Sequence, residues 1–150
     1  MKKKIPDKAD WEGYKGDLDV EYLHKLAFGK PIDDVQEYFE GARSIMRADE
    51  LLRAPRPIFQ YYIFAYAQYL MSESAAGESD SASPFLSLLE EREKRDPGSV
   101  AVIYSSLYEV VDFVASNQDY FEANIDIYGS FQGQAERIRK ACYAKLGIKR

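Results

Sequence analysis

The fold class of this chain is decided by residues 58–71, whose sequence is IFQYYIFAYAQYLM. Large apolar and tyrosine side chains fill most of this stretch, and its strongly polar members are Gln60 and Gln68. A helix that is apolar on all sides is buried on all sides, whereas crossing a bilayer takes about 20 residues. The stretch therefore predicts a buried central helix over about 58–72, which Pro57 suits as a first-turn residue.

On both sides of this helix, apolar residues recur at spacings of three and four, which is typical of helices. We expect these further helices over about 17–28, from a serine cap at 81 or 83 to 95, over 99–116 and over 130–146, with a short helical piece near 120–124. Residues 33–53 share the spacing, and Gly41 leaves open whether they form one kinked helix or two. Residues 99–116 are rich in β-branched side chains, but they lack the strict alternation of a strand. The sequence thus predicts an all-α, single-domain bundle of six or seven helices.

Several helix ends carry local signals. Asp17 or Asp19 suits the N-cap of the first helix, and Gly147 suits the end of the last one. Pro84 is expected in the first turn of the helix that follows the serine cap. Residues 90–95 are all charged, so they are expected to form a solvated helix end. The core-facing stripe of the first helix is expected to consist of Leu18, Tyr22 and Leu26, with Leu23 as a further candidate.

A length of 150 residues is usual for one domain. Residues 1–16 show no periodicity and predict an irregular N-terminal arm that Trp11 and Tyr14 anchor, so that 17–150 form the single helical domain. The one cysteine, Cys142, excludes a disulfide within the chain and favours a reducing compartment. No apolar run follows the lysines at the N-terminus, so we expect no cleaved signal, no membrane association and a cytoplasmic location.

Charge is distributed unevenly along the chain. Its net charge is −5, but residues 5–136 hold all 25 acidic residues and 11 basic ones, a net charge of −14. Three lysines in 1–4 and six basic residues in 137–150 make both ends positive. An acidic surface that keeps the protein soluble is one explanation, and a basic partner is the other. In either case we expect no binding of nucleic acid by the acidic body, since phosphate contacts need clustered Lys and Arg.

Histidine and cysteine offer few chemical options. Glu21 and His24 are three residues apart, a spacing that di-iron bundles use twice, but this chain has no second histidine. We therefore predict no metal and no cofactor. Cys142 lies on an apolar stripe and is interpreted as a small buried core residue.

The tyrosines of the central helix have two interpretations. They either pack in the core, with each hydroxyl finding a partner, or line a pocket for a small molecule. The residues concerned are Tyr61, Tyr62, Tyr66 and Tyr69.

Paired carboxylates suggest a third option, a hydrolytic enzyme. Asp17 with Asp19 and Asp33 with Asp34 lie where helices begin, so capping explains both pairs. Asp112 with Asp126 is a third pair. Asp112 and Glu109 are three residues apart on one face of a predicted helix, and such a face is normally solvated.

We expect first a non-catalytic protein-interaction module that binds a basic partner protein through its acidic surface. Immunity proteins and antitoxins neutralise their targets in this way, which is an analogy of class alone. The alternatives are a small-molecule binding protein with a tyrosine-lined pocket and, third, the hydrolytic enzyme. A homodimer stays open. The candidate partner-binding residues are Asp33, Asp34, Glu37, Glu90 and Glu91.

Overall fold

The computed structural model describes residues 4–148, and within that range the chain is helical with no strand. Lys2, Lys3, Lys149 and Arg150, which contribute to the positive ends, lie outside the described residues. Six helices have ten or more residues, and two have four, so the predicted all-α bundle of six or seven helices is confirmed. The helices are α1 (Leu18–Ala27), α2 (Ile32–Val35), α3 (Arg43–Arg53), α4 (Arg56–Leu70), α5 (Ser79–Arg95), α6 (Tyr104–Ser116), α7 (Ile125–Tyr128) and α8 (Phe131–Leu146).

Helix α4 is the central helix that residues 58–71 predict. Ten of its fifteen residues are buried, and it contacts α2, α3, α5 and α6. Phe64 and Gln68 lie on its less buried side, so one narrow face of α4 is not covered completely. Within the described part of the chain, no helix is both long and apolar enough to span a membrane.

The segment 33–53 forms separate helical pieces. Helix α2 continues into a 3-10 turn, Gln36–Phe39, and α3 begins at Arg43 after a break at Gly41, whose φ of +55° lies in the left-handed region. Glycine adopts that region without the steric cost that a β-carbon brings. The break therefore answers the question left open by the sequence.

Helix α5 begins earlier than the sequence predicts. Its N-cap is Glu78, so the expected serine cap at 81 or 83 is wrong, and Pro84 lies inside the helix. Proline has no N–H to donate to the carbonyl four residues earlier, which is that of Asp80. The Ser44 hydroxyl lies 3.0 Å from this oxygen and supplies the missing donor. The Ser44 hydroxyl also lies 2.6 Å from the Gly41 carbonyl, but the Ser81 hydroxyl donates to that carbonyl at 2.9 Å, so the single Ser44 proton can go to Asp80.

The predicted solvated end of α5 is wrong for Arg92, which is buried. Its guanidinium donates to three carbonyls at the end of α3, at distances of 2.7–3.1 Å: those of Leu51, Leu52 and Ala54. The last carbonyls of a helix have no partner within it, and burial makes unpaired carbonyls costly. Arg92 therefore closes α3 from a neighbouring helix.

The adjacent Glu93 is also buried, again against the prediction. Its carboxylate accepts three backbone N–H groups of the turn that follows α5, at 2.6–3.0 Å: those of Gly98, Val100 and Ala101. Arg92 thus binds the C-terminal end of α3, and Glu93 binds the turn after α5. A run of charged residues in the sequence does not reveal these tertiary contacts.

Helix α1 is capped as predicted, because the Asp17 carboxylate accepts from the Asp19 and Val20 amides. Its predicted stripe is confirmed at Leu23 and wrong at Leu18 and Tyr22. Leu18 is 83% exposed and Tyr22 is also exposed, whereas the buried side chains are Val20, Leu23 and Ala27. Leu18 lies in the first turn, where the flanking aspartates bind Arg53 at the surface, so its face of α1 points to solvent.

The last third of the chain departs from the sequence prediction at one place. Residues 104–116 form helix α6 rather than a strand. Helix α8 begins where it is predicted, with Ser130 as its N-cap, and ends at Gly147. The short helix expected near 120–124 instead lies at Ile125–Tyr128, where the Asn124 side chain caps it. Glu122 adopts φ +56°, a left-handed conformation that a right-handed helix cannot contain.

Candidate functional site

Two long stretches of the chain contain no Lys, Arg or His. These are residues 57–91 and 96–136, and together they carry 12 acidic residues. This feature is visible in the sequence, yet the summed charge of residues 5–136 conceals it. What the sequence does not show is that the fold brings parts of the two stretches together.

The start of α5 and the loop before α8 meet at one end of the bundle. The Gly77 N–H donates to the Tyr120 carbonyl at 2.9 Å. The Tyr128 hydroxyl lies 3.1 Å from Ser79 Oγ and 3.1 Å from Asp80 Oδ1. We call the carboxylates that these contacts gather the acidic end; they are Glu73, Glu78, Asp80, Asp119, Glu122 and Asp126. Of the ion pairs within residues 4–148, none involves any of these six.

Gly77 allows a close approach within the acidic end. A β-carbon at Gly77 would lie 2.8 Å from Glu122 Oε2, and the φ of Gly77 is +77°. Glycine suits this position because of its backbone conformation, and the missing β-carbon leaves room for the Glu122 carboxylate where it lies.

Apolar side chains are exposed among these carboxylates. Ile127 is 75% exposed and Ile125 is 59% exposed on the short helix α7, and Tyr120 and Met71 are about half exposed. A single exposed apolar residue is normal for a protein surface. Four of them on segments that also carry the acidic end form a mixed apolar and acidic surface, which is typical of protein-binding surfaces.

The loop that carries the exposed isoleucines is held by one side chain, Gln118. Its amide nitrogen donates to the carbonyls of Ala123 at 3.0 Å and Gly129 at 2.8 Å. Its amide oxygen accepts the N–H of Phe131 at 3.0 Å. Gln118 thus ties both ends of the loop to the start of α8, so that α7 has a defined position.

A groove runs along the surface between α3 and α5. The two helices are parallel, since Ser44 contacts Ser81 near their first turns and Arg92 contacts Leu51 near their last. We call it the α3–α5 groove; its volume is about 410 Å3 and its lining includes Ile45, Met46, Leu52, Pro84, Leu88 and Glu91. Ile45 is 49% exposed and Met46 is 60% exposed. The groove begins beside Asp80 of the acidic end.

The far end of the groove is also acidic. Arg53 lies among three carboxylates, those of Asp17, Asp19 and Asp49. Glu91 is exposed at the same end and takes part in no ion pair with the described residues. This end thus holds four carboxylates, those of the three aspartates and Glu91. It holds two guanidinium groups when Arg95, one turn beyond Glu91, is counted with Arg53.

The five predicted partner-binding residues do not form one cluster. Asp33, Asp34 and Glu37 are exposed on α2 and the 3-10 turn after it, and Asp33 accepts from Gln68 at 2.8 Å. Glu91 belongs to the α3–α5 groove, and Glu90 faces α8. The α2 residues lie beside the C-terminal half of α4, which leads to the acidic end.

Glu90 is already engaged within the chain. Its carboxylate pairs with Arg137 at 2.7 Å. Partial burial raises the pKa of Glu90, but hydrogen bonds from Arg137 and Gln134 outweigh this and leave the pKa below its usual value. Part of the positive C-terminal end thus folds back on the acidic body.

The four central tyrosines are packed in the core, and their hydroxyls have partners. Tyr62 donates to the carbonyls of Ala27 and Lys30, at 2.7 and 2.8 Å. Tyr66 donates to the Ser81 carbonyl, and burial raises the pKa of both phenols well above the usual range. The hydroxyls of Tyr61 and Tyr69 accept the N–H groups of Ile32 and Gly41. Four surface cavities of 360–620 Å3 among the described residues are lined by other side chains, so the tyrosine-lined pocket stays a prediction that none of these four supports.

His24 and Cys142 are both held by core packing. The His24 ring stacks on Tyr14 at 3.8 Å and meets the edge of Trp11 at 4.9 Å. Burial lowers the pKa of His24, and the charge of Lys15 lowers it further. Burial also raises the pKa of the Cys142 thiol to about 12. Residues 4–148 contain no group of three or more His, Cys, Asp or Glu side chains that could hold a metal ion.

The paired carboxylates are separated in role and place. Asp17 caps α1, and Asp19 binds Arg53. Asp112 is exposed on α6 and Asp126 is exposed on α7. The hydrolytic interpretation of these pairs stays a prediction that no contact between them supports.

A second apolar surface lies between α6 and α8, with a cavity of about 360 Å3. Its exposed members are Val102, Tyr108, Leu146 and Ile148. A homodimer through this surface stays a prediction.

Comparison with known proteins leaves the geometry as the basis for any functional conclusion. No protein-family model, no curated protein and no solved structure matches this chain.

Proposed function

We propose that this protein is a non-catalytic binding module that docks a basic partner protein on its acidic end. One observation carries the proposal: six carboxylates without ion pairs in the described chain surround exposed isoleucines, on segments that contain no basic residue. Asp33, Asp34 and Glu37 extend the negative surface along the side of α4.

The two kinds of side chain have different effects on binding. Burial of apolar surface stabilises a complex by about 25 cal/mol for each Å2, so Ile125 and Ile127 are the expected anchors. Carboxylates around such anchors speed the association with a positively charged partner and select against other partners. The acidic end offers both effects on one surface.

A negative charge that serves solubility alone is the competing explanation. Positive residues of α8 pair with Glu90 and Glu136 rather than with the acidic end. The intrachain pairs therefore account for part of the charge separation, and they leave the acidic end unneutralised among residues 4–148. Exposed isoleucines there are not expected of a surface selected for solubility alone.

The analogy with immunity proteins and antitoxins extends the proposal. It predicts that the partner is a basic enzyme whose activity is blocked in the complex. Co-expression of that enzyme with and without this protein tests the extension, since protection of the host is expected only with the intact acidic end.

The partner is identified by affinity capture from the native host, and the decisive measurement is its association rate between about 0.01 and 1 M salt. Over this range the Debye length falls from about 30 to about 3 Å, so the rate should fall steeply. An acidic partner, or a rate that does not depend on salt, contradicts the proposal.

A matched pair of variants locates the contact. Ile127→Ala should weaken binding about tenfold or more, because it removes an apolar anchor. Leu18→Ala is the control, since Leu18 is similarly exposed but lies near Arg53 at the C-terminal end of α3. The length of α3, about 16 Å, separates that end from the end beside Asp80. Equal effects of the two substitutions would place the contact elsewhere.

A further inference from the structure

We infer that the α3–α5 groove binds one amphipathic α-helix of the partner, with aliphatic residues on one face and Lys or Arg beside them. This inference rests on the proposed function, because it assumes a basic partner. It adds the secondary structure of the docked segment and its position on this chain. The shape of the groove, the small and flexible side chains that line it and the carboxylates at its far end support the inference.

The shape of the groove fits a helix. Ile45 and Met46 of α3 form one wall, and Pro84 and Leu88 of α5 form the other. Two parallel helices with apolar ridges leave a furrow between them, into which a third helix can insert side chains at spacings of three, four and seven. The lining on each helix spans eight residues, 45–52 and 84–91, which corresponds to about two helical turns.

The side chains of the groove allow close approach and adjustment. Ala48 and Ser87 are small residues in its lining, so the backbone of a docked helix can come near α3 and α5. Met46 is unbranched and adapts its shape to different aliphatic partners, which is why methionine is common on peptide-binding surfaces. The lining is also largely apolar, and it is open to solvent without any described residue covering it.

The charge at the far end of the groove selects a basic helix. Asp49 and Glu91 line this end. The Arg53 guanidinium lies beside Asp49, and it is shared by three aspartates. At the start of the groove Arg43 is exposed three residues before Met46, so the selection depends on the far end. Lys or Arg side chains at that end of the docked helix would meet carboxylates, whereas acidic side chains would be repelled.

The groove and the acidic end are continuous, so one partner can use both. The Ser44 hydroxyl contacts the Asp80 carbonyl, one turn before Pro84 of the groove. The Asp80 carboxylate in turn accepts from the hydroxyl of Tyr128, the last residue of α7. A docked helix would therefore project from the groove toward the exposed isoleucines. This continuity favours a helix of the basic partner as the occupant over an unrelated ligand.

Methionine methyl groups give a test that reads the two surfaces separately. Met46 lies in the groove, Met71 lies at the end of α4 beside the acidic end, and Met1 is the only other methionine. The protein labelled with 13C at its methionine methyl groups is titrated with a synthetic peptide of about 14 residues, made of Leu and Lys at helical spacing. A control peptide has the same composition with Leu and Lys alternating, which gives no apolar helical face.

The helical peptide is expected to shift the Met46 signal in a saturable way, and the alternating peptide should not. Ile45→Lys should weaken this binding about tenfold or more, because it places a positive charge beside the lysines of the peptide. Val102→Lys is the matched control, since it changes the charge equally at an exposed apolar position on the separate surface between α6 and α8. Unchanged melting temperatures of both variants show that folding is preserved.

Three results would overturn the inference. If the helical peptide shifts Met71 and leaves Met46 unchanged, the acidic end binds basic partners but the groove does not. If both peptides shift Met46 equally, charge alone attracts them and no helix is recognised. If Met46 shifts with protein concentration and without peptide, the occupant is a second copy of this chain. When neither signal moves at low salt, the proposed function fails together with this inference.

Discussion

The Ser44 hydroxyl and the Asp80 carbonyl are joined by a 3.0 Å hydrogen bond between two helices. The bond has a function because Pro84 cannot donate to that carbonyl. Ser44→Ala is expected to destabilise the fold by about 1–3 kcal/mol, the cost of a buried acceptor without a donor. In a Pro84→Ala background the helix supplies its own N–H, so the same substitution should cost less. Urea unfolding of the four proteins measures this coupling, and additive effects would contradict the role given to Ser44.

Arg92 is the second residue whose loss should be severe. Arg92→Ala removes the guanidinium that donates to the carbonyls of Leu51, Leu52 and Ala54. Within the described chain, Leu51 alone of these keeps a second donor, the Ala54 N–H, so we expect a loss of about 3–5 kcal/mol in the free energy of unfolding. Arg92→Lys should recover only part of this, because an ammonium group cannot reproduce the planar fork of the guanidinium. The exposed Arg95 provides the control, with an expected effect of Arg95→Ala within about 0.5 kcal/mol. Similar losses at both positions would show that Arg92 does not close α3.

The single histidine predicts a pH dependence of stability. The folded pKa of His24 is lowered by burial and by Lys15, so between that value and the unfolded pKa of 6.5 the unfolded chain binds more protons. Stability should therefore rise with pH through this window and fall as the solution becomes more acidic than about pH 6.5. His24→Phe keeps the aromatic contacts and removes the titration, so its urea unfolding between about pH 5.5 and 7.5 should show a weaker dependence. An identical slope in the two proteins would exclude His24 as the cause.

Cys142 should be unreactive in the folded protein. It is fully buried on α8, and its pKa is raised to about 12, so both access and thiolate are lacking. A disulfide reagent such as dithiobis-nitrobenzoate is expected to label it only as fast as α8 opens. In about 6 M urea, one equivalent per chain should react at once. Rapid labelling of the native protein would contradict the burial of this thiol.

The sequence predicts those features that depend on neighbouring residues. The Asp17 cap, the start of α8 near Ser130 and the Gly147 stop are predictable from the sequence, because each depends on residues within about one turn of its own helix. The central position of α4 is also predictable, since its large apolar and tyrosine side chains leave only a narrow face around Gln68 for solvent.

The features that the sequence did not predict depend on distant residues. Val20 and Leu18 are equally apolar, and only the pairing of Arg53 with the aspartates around Leu18 decides which of them faces solvent. The Tyr62 hydroxyl finds its acceptor 35 residues away, at Ala27, which decides between packing and a pocket. Burial of Arg92 likewise follows from carbonyls about 40 residues earlier.

In the candidate site, too, some features depend on neighbouring residues and others on residues far apart in the sequence. Stretches without Lys or Arg can be read from the sequence, but their union at one end depends on the contact of Gly77 with Tyr120. The α3–α5 groove has no signal of its own in the sequence, because Ile45 and Met46 resemble core residues of an amphipathic helix. Whether such residues are covered depends on the neighbours that the fold provides.

The three hydrogen bonds of Gln118 have a consequence for the kinetics of recognition. They hold the backbone between Gln118 and Phe131 in the folded protein, so α7 has one defined position before any encounter. Less backbone entropy is then lost on association than if this loop had to order on binding. Complexes of this preorganised kind are expected to form in a single step, and their lifetimes should depend on how completely Ile125 and Ile127 are enclosed.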